Sequence, residues 1–153
     1  MGCTPSKEKR PSPLANDSTS IEGVQLTIEY SSPAVKKRKI WGELVPYGEV
    51  WRTGANKATF LTTSADVYIE DKLLLAGRYS IFTIPSDSTW TIIFNEDWDQ
   101  WGSYNYDIDK DAFRISLIPT VSSFDERMKF YFEEDYIRFD WEELSYRLKI
   151  KKK

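Results

Sequence analysis

A two-residue alternation of apolar and polar side chains is the feature that most restricts how this chain can fold. In the first such segment Val24, Leu26 and Ile28 alternate with polar residues, which is the pattern of a strand with one buried face. No segment has the 3.6-residue period of an amphipathic helix of three turns. The chain must therefore bury its apolar side chains between β-sheets.

Turn-forming residues divide the chain into about nine or ten short strands. Pro33 follows the first strand, and Asp71-Lys72, Ser86-Asp87-Ser88 and Glu134-Asp135 have the composition of turns. Turn signals recur roughly every 8–12 residues, so we predict an all-β fold, a single antiparallel β-sandwich or an open barrel. The predicted strands are residues 24–29, 59–63, 67–69, 73–75, 78–85, 90–94, 112–118, 128–133, 136–141 and 145–150.

Aromatic residues are unusually frequent, at 15% of a chain of 153 residues. Large rings suit the pleated, half-buried surface of a sheet, and this length supports one core. The predicted strand Arg78–Pro85 is apolar on both faces, because Tyr79 and Ile81 point one way and Phe82 and Ile84 the other. We therefore expect this strand to lie in the interior of a sheet.

Residues 1–20 differ in composition from the rest of the chain. They contain three Pro, four Ser and two Thr, and their large apolar side chains are Met1 and Leu14. Such a segment buries too little apolar surface to offset the entropy of ordering it. We predict a disordered polar tether over residues 1–20 and a folded domain over residues 21–153.

The sequence around Cys3 has three interpretations. Cys3 could be the lipidated residue of a bacterial lipobox, which would require that an export signal had been removed. Alternatively, Gly2 and Ser6 have the spacing of a myristoylation signal, or this start of the chain carries no meaning. Because no run of 18 apolar residues exists, we expect membrane association only through such an anchor.

The composition excludes several classes of site. The chain contains no His, which removes His-based catalytic triads and His-ligated metals, and its one Cys lies in the tail. The net charge of −3 argues against nucleic acid as a partner, because phosphate binding requires a basic surface. We therefore expect no cofactor, no metal and no nucleic acid.

Three blocks of sequence identify a family. Residues 41–56 hold two Trp, one Tyr, three Gly, one Pro and Arg52, a combination too apolar for a solvated loop and too rich in Gly and Pro for a helix. Together with residues 76–85 and 100–104, this block resembles a bacterial domain-of-unknown-function family, number 2911, over about residues 22–150. The family consists mostly of Bacteroidota envelope proteins that commonly carry export signals. The resemblance therefore implies a lipid-anchored location in the cell envelope, with the cytoplasm as the alternative, and it implies that the motif positions matter.

Arg52 is the first candidate functional residue. Its planar guanidinium follows Trp51, on which it could stack, and could offer several donors to a carboxylate or phosphate. The structural alternative is that Arg52 pairs with Glu43 or Glu49, or satisfies loop carbonyls. Asn56 could contact a ligand, or it could close a turn from a left-handed conformation.

The loop at residues 95–109 is the second candidate. Trp98, Trp101, Tyr104 and Tyr106 lie there among amide and carboxylate side chains. Rings flanked by polar groups suit a sugar, whose ring faces stack and whose hydroxyls form hydrogen bonds. The alternative is that Trp101 and Tyr104 close one end of the sandwich.

The acidic residues give weaker signals. Asp107, Asp109 and Asp111 have the spacing of a calcium loop, but Ala112 and Ile118 stand where an EF-hand requires Gly and Glu. A calcium-stabilised turn or a solvated turn remains. Glu43 and Glu49 are the obvious pair for a carboxylate-dependent hydrolase, although the sequence does not determine their separation.

We predict a non-catalytic domain that binds a small or saccharide ligand, or a protein partner in the envelope. Two alternatives are a carboxylate-dependent hydrolase and a purely structural subunit of an assembly, and the oligomeric state is open. The predicted ligand-binding residues are Tyr47, Trp51, Arg52 and Asn56, with Trp101 and Tyr104 at the rim.

Overall fold

The computed structural model describes residues 11–153 as two antiparallel sheets that pack into a sandwich. The ten strands are β1 (Leu14–Ile21), β2 (Val24–Ser31), β3 (Phe60–Thr63), β4 (Val67–Ile69), β5 (Lys72–Leu74), β6 (Gly77–Ile84), β7 (Trp90–Asn95), β8 (Asp111–Leu117), β9 (Thr120–Glu133) and β10 (Tyr136–Lys152). The sheets do not close into a barrel, so the prediction of an all-β sandwich is confirmed. Within residues 11–153 no helix is long and apolar enough to cross a bilayer.

The six-stranded sheet has the order β1-β2-β3-β6-β7-β8. Its inward face carries the alternating apolar residues, among them Leu26, Ile28 and Leu61, which are fully buried. β6 lies between β3 and β7 and is buried on both faces, with Ile81 in the main core and Phe82 in a second, smaller cluster. The prediction that this strand is an interior one is confirmed.

The four-stranded sheet has the order β5-β4-β10-β9, and its two long strands differ from the prediction. β9 begins at Thr120 rather than at Met128, and β10 is one element where two strands were predicted. Register shifts on both sides of Glu142, whose φ is +58°, bend β10 at the predicted gap.

The two halves of β10 lie along each other because of this bend. The backbone N–H of Ile150 donates to the carbonyl of Asp135 at 2.7 Å, and the Ser145 hydroxyl donates to the Asp140 carboxylate at 2.6 Å. Asp135, which immediately precedes β10, thus lies opposite Ile150, and Asp140 lies opposite Ser145. The chain on either side of the bend is therefore arranged as in a hairpin. The predicted break therefore exists as a change of direction inside the strand.

Four tryptophans meet at the centre of the core. The ring of Trp41 lies 5.8 Å from Trp51, 4.7 Å from Trp90 and 5.6 Å from Trp141, measured between centroids. Trp51 and Trp141 stack at 5.9 Å with an interplanar angle of 22°. Offset and edge-to-face arrangements of this kind add about 0.5–1.5 kcal/mol per pair to the burial of the rings. We call these four residues the indole cluster.

The indole cluster attaches the long connection between β2 and β3 to both sheets. Trp51 exchanges two backbone hydrogen bonds with Thr83 on β6, at 2.8 and 2.9 Å. The indole N–H of Trp41 donates to the Glu142 carboxylate of β10 at 3.0 Å. Residues 41–56 are therefore neither a solvated loop nor a helix but an aromatic segment that the core holds in place.

The prediction of a disordered tether is wrong for the part of residues 1–20 that forms strand β1. All eight residues of β1 pair with β2, from Leu14 opposite Ser31 to Ile21 opposite Val24. Glu22 and Gly23 form the two-residue turn with φ values of +49° and +86°, a hairpin geometry that follows the twist of the strands. The predicted lipid anchor, Cys3, lies outside the described residues and stays a prediction.

β1 also contacts the opposite sheet. The carboxylate of Asp17 accepts a hydrogen bond from the backbone N–H of Phe132 on β9 at 2.8 Å. The carbonyl of Pro11, just before β1, accepts from Arg127 of β9 at 2.7 Å. The folded domain therefore begins before residue 21.

We predict that deleting residues 1–20 destabilises the domain more than deleting residues 1–10 does. The longer deletion exposes the edge of β2 and leaves the N–H of Phe132 without Asp17. Because the deletion also removes the entropy cost of ordering β1, we expect a net loss of about 3 kcal/mol in the free energy of unfolding. Thermal unfolding of the two deletion variants and the full chain measures this difference. Equal melting temperatures for the two variants would show that β1 does not contribute.

We also predict opposite outcomes for two Trp→Ala substitutions. Trp141 is fully buried in the indole cluster, so Trp141→Ala should cost about 3–5 kcal/mol of unfolding free energy. Trp101 is 64% exposed, and Trp101→Ala should change that free energy by less than about 0.5 kcal/mol. Denaturant unfolding of both variants tests the assignment, which fails if the two losses are similar.

Candidate functional site

A cleft of about 290 Å³ lies on the outer face of the six-stranded sheet. The pairing of Glu29 with Phe60 places both side chains on this face, because their neighbours Ile28 and Leu61 point into the core. The residues that line the cleft come from β1, β2, β3 and two loops, and they are Leu14, Glu29, Tyr30, Ser31, Asn56, Lys57, Ala58, Phe60 and Trp101.

Two loops that are distant in sequence join to form one wall of the cleft. The N–H of Ala58 donates to the carbonyl of Gln100 at 2.8 Å, and the N–H of Gly102 donates to the carbonyl of Asn56 at 3.0 Å. Asn56 has a φ of +58°, so the turn closed from a left-handed conformation is present. The structure thus brings together Asn56 and Trp101, two of the predicted site residues.

Trp101 is the most exposed aromatic ring of the cleft, with 64% of its surface accessible. Around it the cleft offers the amide of Asn56, the carboxylate of Glu29 and the ammonium group of Lys57. An accessible indole surrounded by hydrogen-bonding groups of both polarities can stack on an apolar ring face and bond to hydroxyl groups.

The side chains at the rim are held in place. Lys57 forms an ion pair with Asp99 at 2.6 Å, and its Nζ lies 5.2 Å from the ring centroid of Trp98. The guanidinium of Arg78 lies over the same ring at 4.7 Å, and Phe60 packs against it at 5.0 Å. These cation–π and ring contacts reduce the side-chain freedom that a ligand would otherwise have to order.

The other predicted aromatic residues lie outside the cleft. Trp51 is buried in the indole cluster, and this corrects its assignment to the ligand-binding residues. The side chains of Trp51 and Arg52 lie on opposite sides of the chain, and that of Trp51 faces the core. Tyr47 lines a different groove with Trp41 and packs over Gly42. Tyr104 is 91% exposed and packs beside Gly102, not against the cleft.

Arg52 has neither of the structural partners that were considered for it. Within residues 11–153 its side chain forms no hydrogen bond and no ion pair, and its Nε is buried without a partner. Partial burial lowers the pKa of this guanidinium, and nearby Tyr104 acts in the opposite direction. Arg52 is therefore a half-buried cation whose charge no neighbouring carboxylate balances.

The predicted carboxylate pair is not assembled into a site. Glu43 and Glu49 are both exposed, and neither pairs with a basic residue in the described part of the chain. The described residues also contain no group of three or more His, Cys, Asp and Glu side chains that could hold a metal ion.

The acidic triplet at residues 107–111 supports the loop. Asp107 caps a short 3-10 helix, Ile108–Lys110, by accepting from the N–H of Asp109 at 2.9 Å. The carboxylate of Asp111 accepts from Asn95, Tyr106 and Arg114. Burial, followed by the hydrogen bond with Asp111, raises the pKa of Tyr106 to about 12.

Several residues of the cleft were not predicted from the sequence. Leu14 was assigned to the tether, and Glu29 and Lys57 have the appearance of ordinary surface charges. Lys57 directly follows the predicted site residue Asn56 in the sequence, and this was the one signal that could have added Lys57 to the predicted site. Glu29 becomes part of the cleft only through its pairing with Phe60, which the sequence alone does not reveal.

We predict that Arg52→Met leaves the free energy of unfolding within about 0.5 kcal/mol of the wild type, because no hydrogen bond or ion pair of the guanidinium is lost and Met keeps much of the packing of the stem. Arg127→Met is the matched control. It removes donors to the carbonyls of Pro11 and Ser32, at 2.7 and 2.9 Å, and should cost about 1–3 kcal/mol. Chemical denaturation compares the two, and an equal loss in Arg52→Met would assign Arg52 to the scaffold.

Comparison with known proteins gives one match. No curated protein and no solved structure matches the chain. The model of the family described as "Protein of unknown function (DUF2911)" matches residues 12–150. This match begins just before β1 and ends within β10, so it spans the sandwich. The chain therefore belongs to the DUF2911 family of proteins of unknown function.

Proposed function

We propose that this domain is a non-catalytic binding module that takes a saccharide into the cleft beside Trp101. The observation that carries the proposal is the 64% exposed indole of Trp101 in a cleft that also presents Asn56 and Glu29. An exposed Trp is a large apolar surface in contact with water, and such surfaces concentrate at binding sites.

The chemistry of the cleft favours a sugar over a purely apolar ligand. A sugar ring has a face of C–H groups, which suits the indole, and an edge of hydroxyls, which donate and accept. The amide of Asn56 can do both, Glu29 accepts and Lys57 donates. A volume of about 290 Å³ lies at the lower limit for small-molecule sites and suits one sugar unit at the end of a chain.

The cleft is largely formed before any ligand enters. The hydrogen bonds between residues 56–58 and 100–102 fix the wall, and the ion pair with Asp99 holds Lys57. Binding to such a site orders few additional side chains, so more of the contact energy remains as affinity.

The cleft favours binding over hydrolysis. Glycoside hydrolysis uses two carboxyl groups on opposite sides of the scissile bond, about 5–9.5 Å apart. Glu29 is the one carboxylate among the residues that line this cleft. The nearby carboxylate of Asp99 is paired with Lys57, so Glu29 can hold a hydroxyl but has no second carboxyl group in the lining to act with.

We predict that Trp101→Ala weakens saccharide binding by tenfold or more, since stacking on a Trp commonly contributes over about 1.4 kcal/mol. Calorimetric titration of the full chain with a panel of neutral and acidic monosaccharides and short oligosaccharides measures the affinities. Asn56→Ala should also weaken binding.

Tyr104→Ala is the matched control, because this ring is even more exposed than that of Trp101 but does not line the cleft. It should bind like the wild type. Absence of saturable binding across the panel, or equal losses in Trp101→Ala and Tyr104→Ala, would contradict the proposal.

A further inference from the structure

β9 is the outermost strand of the four-stranded sheet, and only part of its free side is covered. The chain at residues 33–35 bonds to the backbone of residues 126–128, with the N–H of Met128 donating to the carbonyl of Pro33 at 3.0 Å. Further along, Asp17 accepts from the N–H of Phe132. These contacts cover the second half of the strand.

The cover ends before the first half of β9. The covering chain turns at Lys36 and Lys37, whose φ values are +49° and +58°, and the N–H of Arg38 donates back to the carbonyl of Val35 at 3.0 Å. Within residues 11–153, no strand, bridge or backbone hydrogen bond reaches the free side of residues 120–125.

The uncovered segment is also apolar and uncharged. Residues 118–124 read Ile-Pro-Thr-Val-Ser-Ser-Phe, and we call them the open edge. The exposed fractions are 72% for Ile118, 83% for Val121 and 54% for Phe124. Thr, Val and Phe favour extended backbone, and an exposed, uncharged, apolar edge is a template for pairing with another strand.

Two other edge strands have the features that normally prevent such pairing. β5 has three residues and begins with Lys72. β8 begins at Asp111 and carries the exposed Arg114, and these two form an ion pair at 2.9 Å. Short length and charge both discourage the addition of a strand. The open edge has neither feature.

A second copy of the chain fits the open edge. Antiparallel pairing of two copies about an axis through Ser122 places Val121 opposite Ser123 and Thr120 opposite Phe124. Asp125 then lies opposite Pro119, so no like charges face each other. The two Asp125 residues are separated by about 20 Å along the strands, at a rise of about 3.3 Å per residue.

This pairing also closes the edge on both chains. The free backbone groups of each open edge bond to those of the other, so the assembly stops at two copies. A foreign strand, in contrast, would leave its own outer side open. None of residues 118–124 lines the cleft beside Trp101, so the pairing uses a surface separate from that cleft.

We propose that this protein forms a symmetrical dimer through antiparallel pairing of the open edges of two copies. The two four-stranded sheets then continue as one sheet across the interface. The paired segment is short, and interfaces of small area are weak, so the dimer dissociates on dilution. This association does not depend on saccharide binding.

Sedimentation velocity of the full chain over a range of about 1–300 μM, with a reductant that prevents cross-linking through Cys3, tests the dimer. The wild type should shift from monomer to dimer. Val121→Lys places a charge on the open edge and should weaken dimerisation at least about tenfold.

Leu75→Lys is the matched control, because it makes the same change at a side chain that is 55% exposed and lies outside the open edge. This variant should dimerise like the wild type. Both side chains are exposed, so both variants should melt within about 2 °C of the wild type at low protein concentration.

Disulfide formation tests the register in a Cys3→Ser background. Ser122→Cys places the two thiols at the axis of the pair, within the range that a disulfide can bridge, and mild oxidation should give covalent dimers. Ser116→Cys, at an exposed position on the edge strand β8, should not.

Three results would overturn the proposal. They are a monomer at every concentration, equal dimerisation of Val121→Lys and the wild type, and equal cross-linking of the two Cys variants.

Discussion

The contact among the indoles of Trp41, Trp51, Trp90 and Trp141 is the interaction on which the rest of the structure depends. It joins residues from both sheets with two residues from the long connection between β2 and β3. Backbone hydrogen bonds also hold that connection, among them those of Val35 to β9 and of Trp51 to β6. The rings add the contact that fixes the connection to the core between the two sheets.

The position of the cleft follows from this attachment. Trp51 points into the core and pairs with Thr83, the N–H of Ala55 then donates to the carbonyl of Ser31 at the end of β2, and Asn56 turns the chain toward Trp101. Arg52 points to the opposite side from Trp51, where it has no carboxylate partner in the described chain. The same segment of the chain thus contributes Trp51 to the buried core and Asn56 to the accessible cleft.

The sequence predicts the sandwich and the interior position of β6, because alternation and two-sided apolarity are local patterns. It does not predict β1, whose residues Asn16 and Asp17 are typical of a tether. That strand exists because β2 offers it a complete ladder and Glu22 and Gly23 close the turn. The sequence also does not determine whether an indole such as that of Trp51 points inward, since this depends on which residues of a remote strand pair with Trp51.

The hydrogen bond between Asp17 and Phe132 connects the first strand of the domain to the next-to-last one. β9 is the edge of its sheet, and an edge N–H left open is a template for pairing with other chains. The group that covers this edge is synthesised more than a hundred residues earlier. This contact can therefore form only after β9 has been synthesised, and until then the hairpin of β1 and β2 lacks its opposite layer.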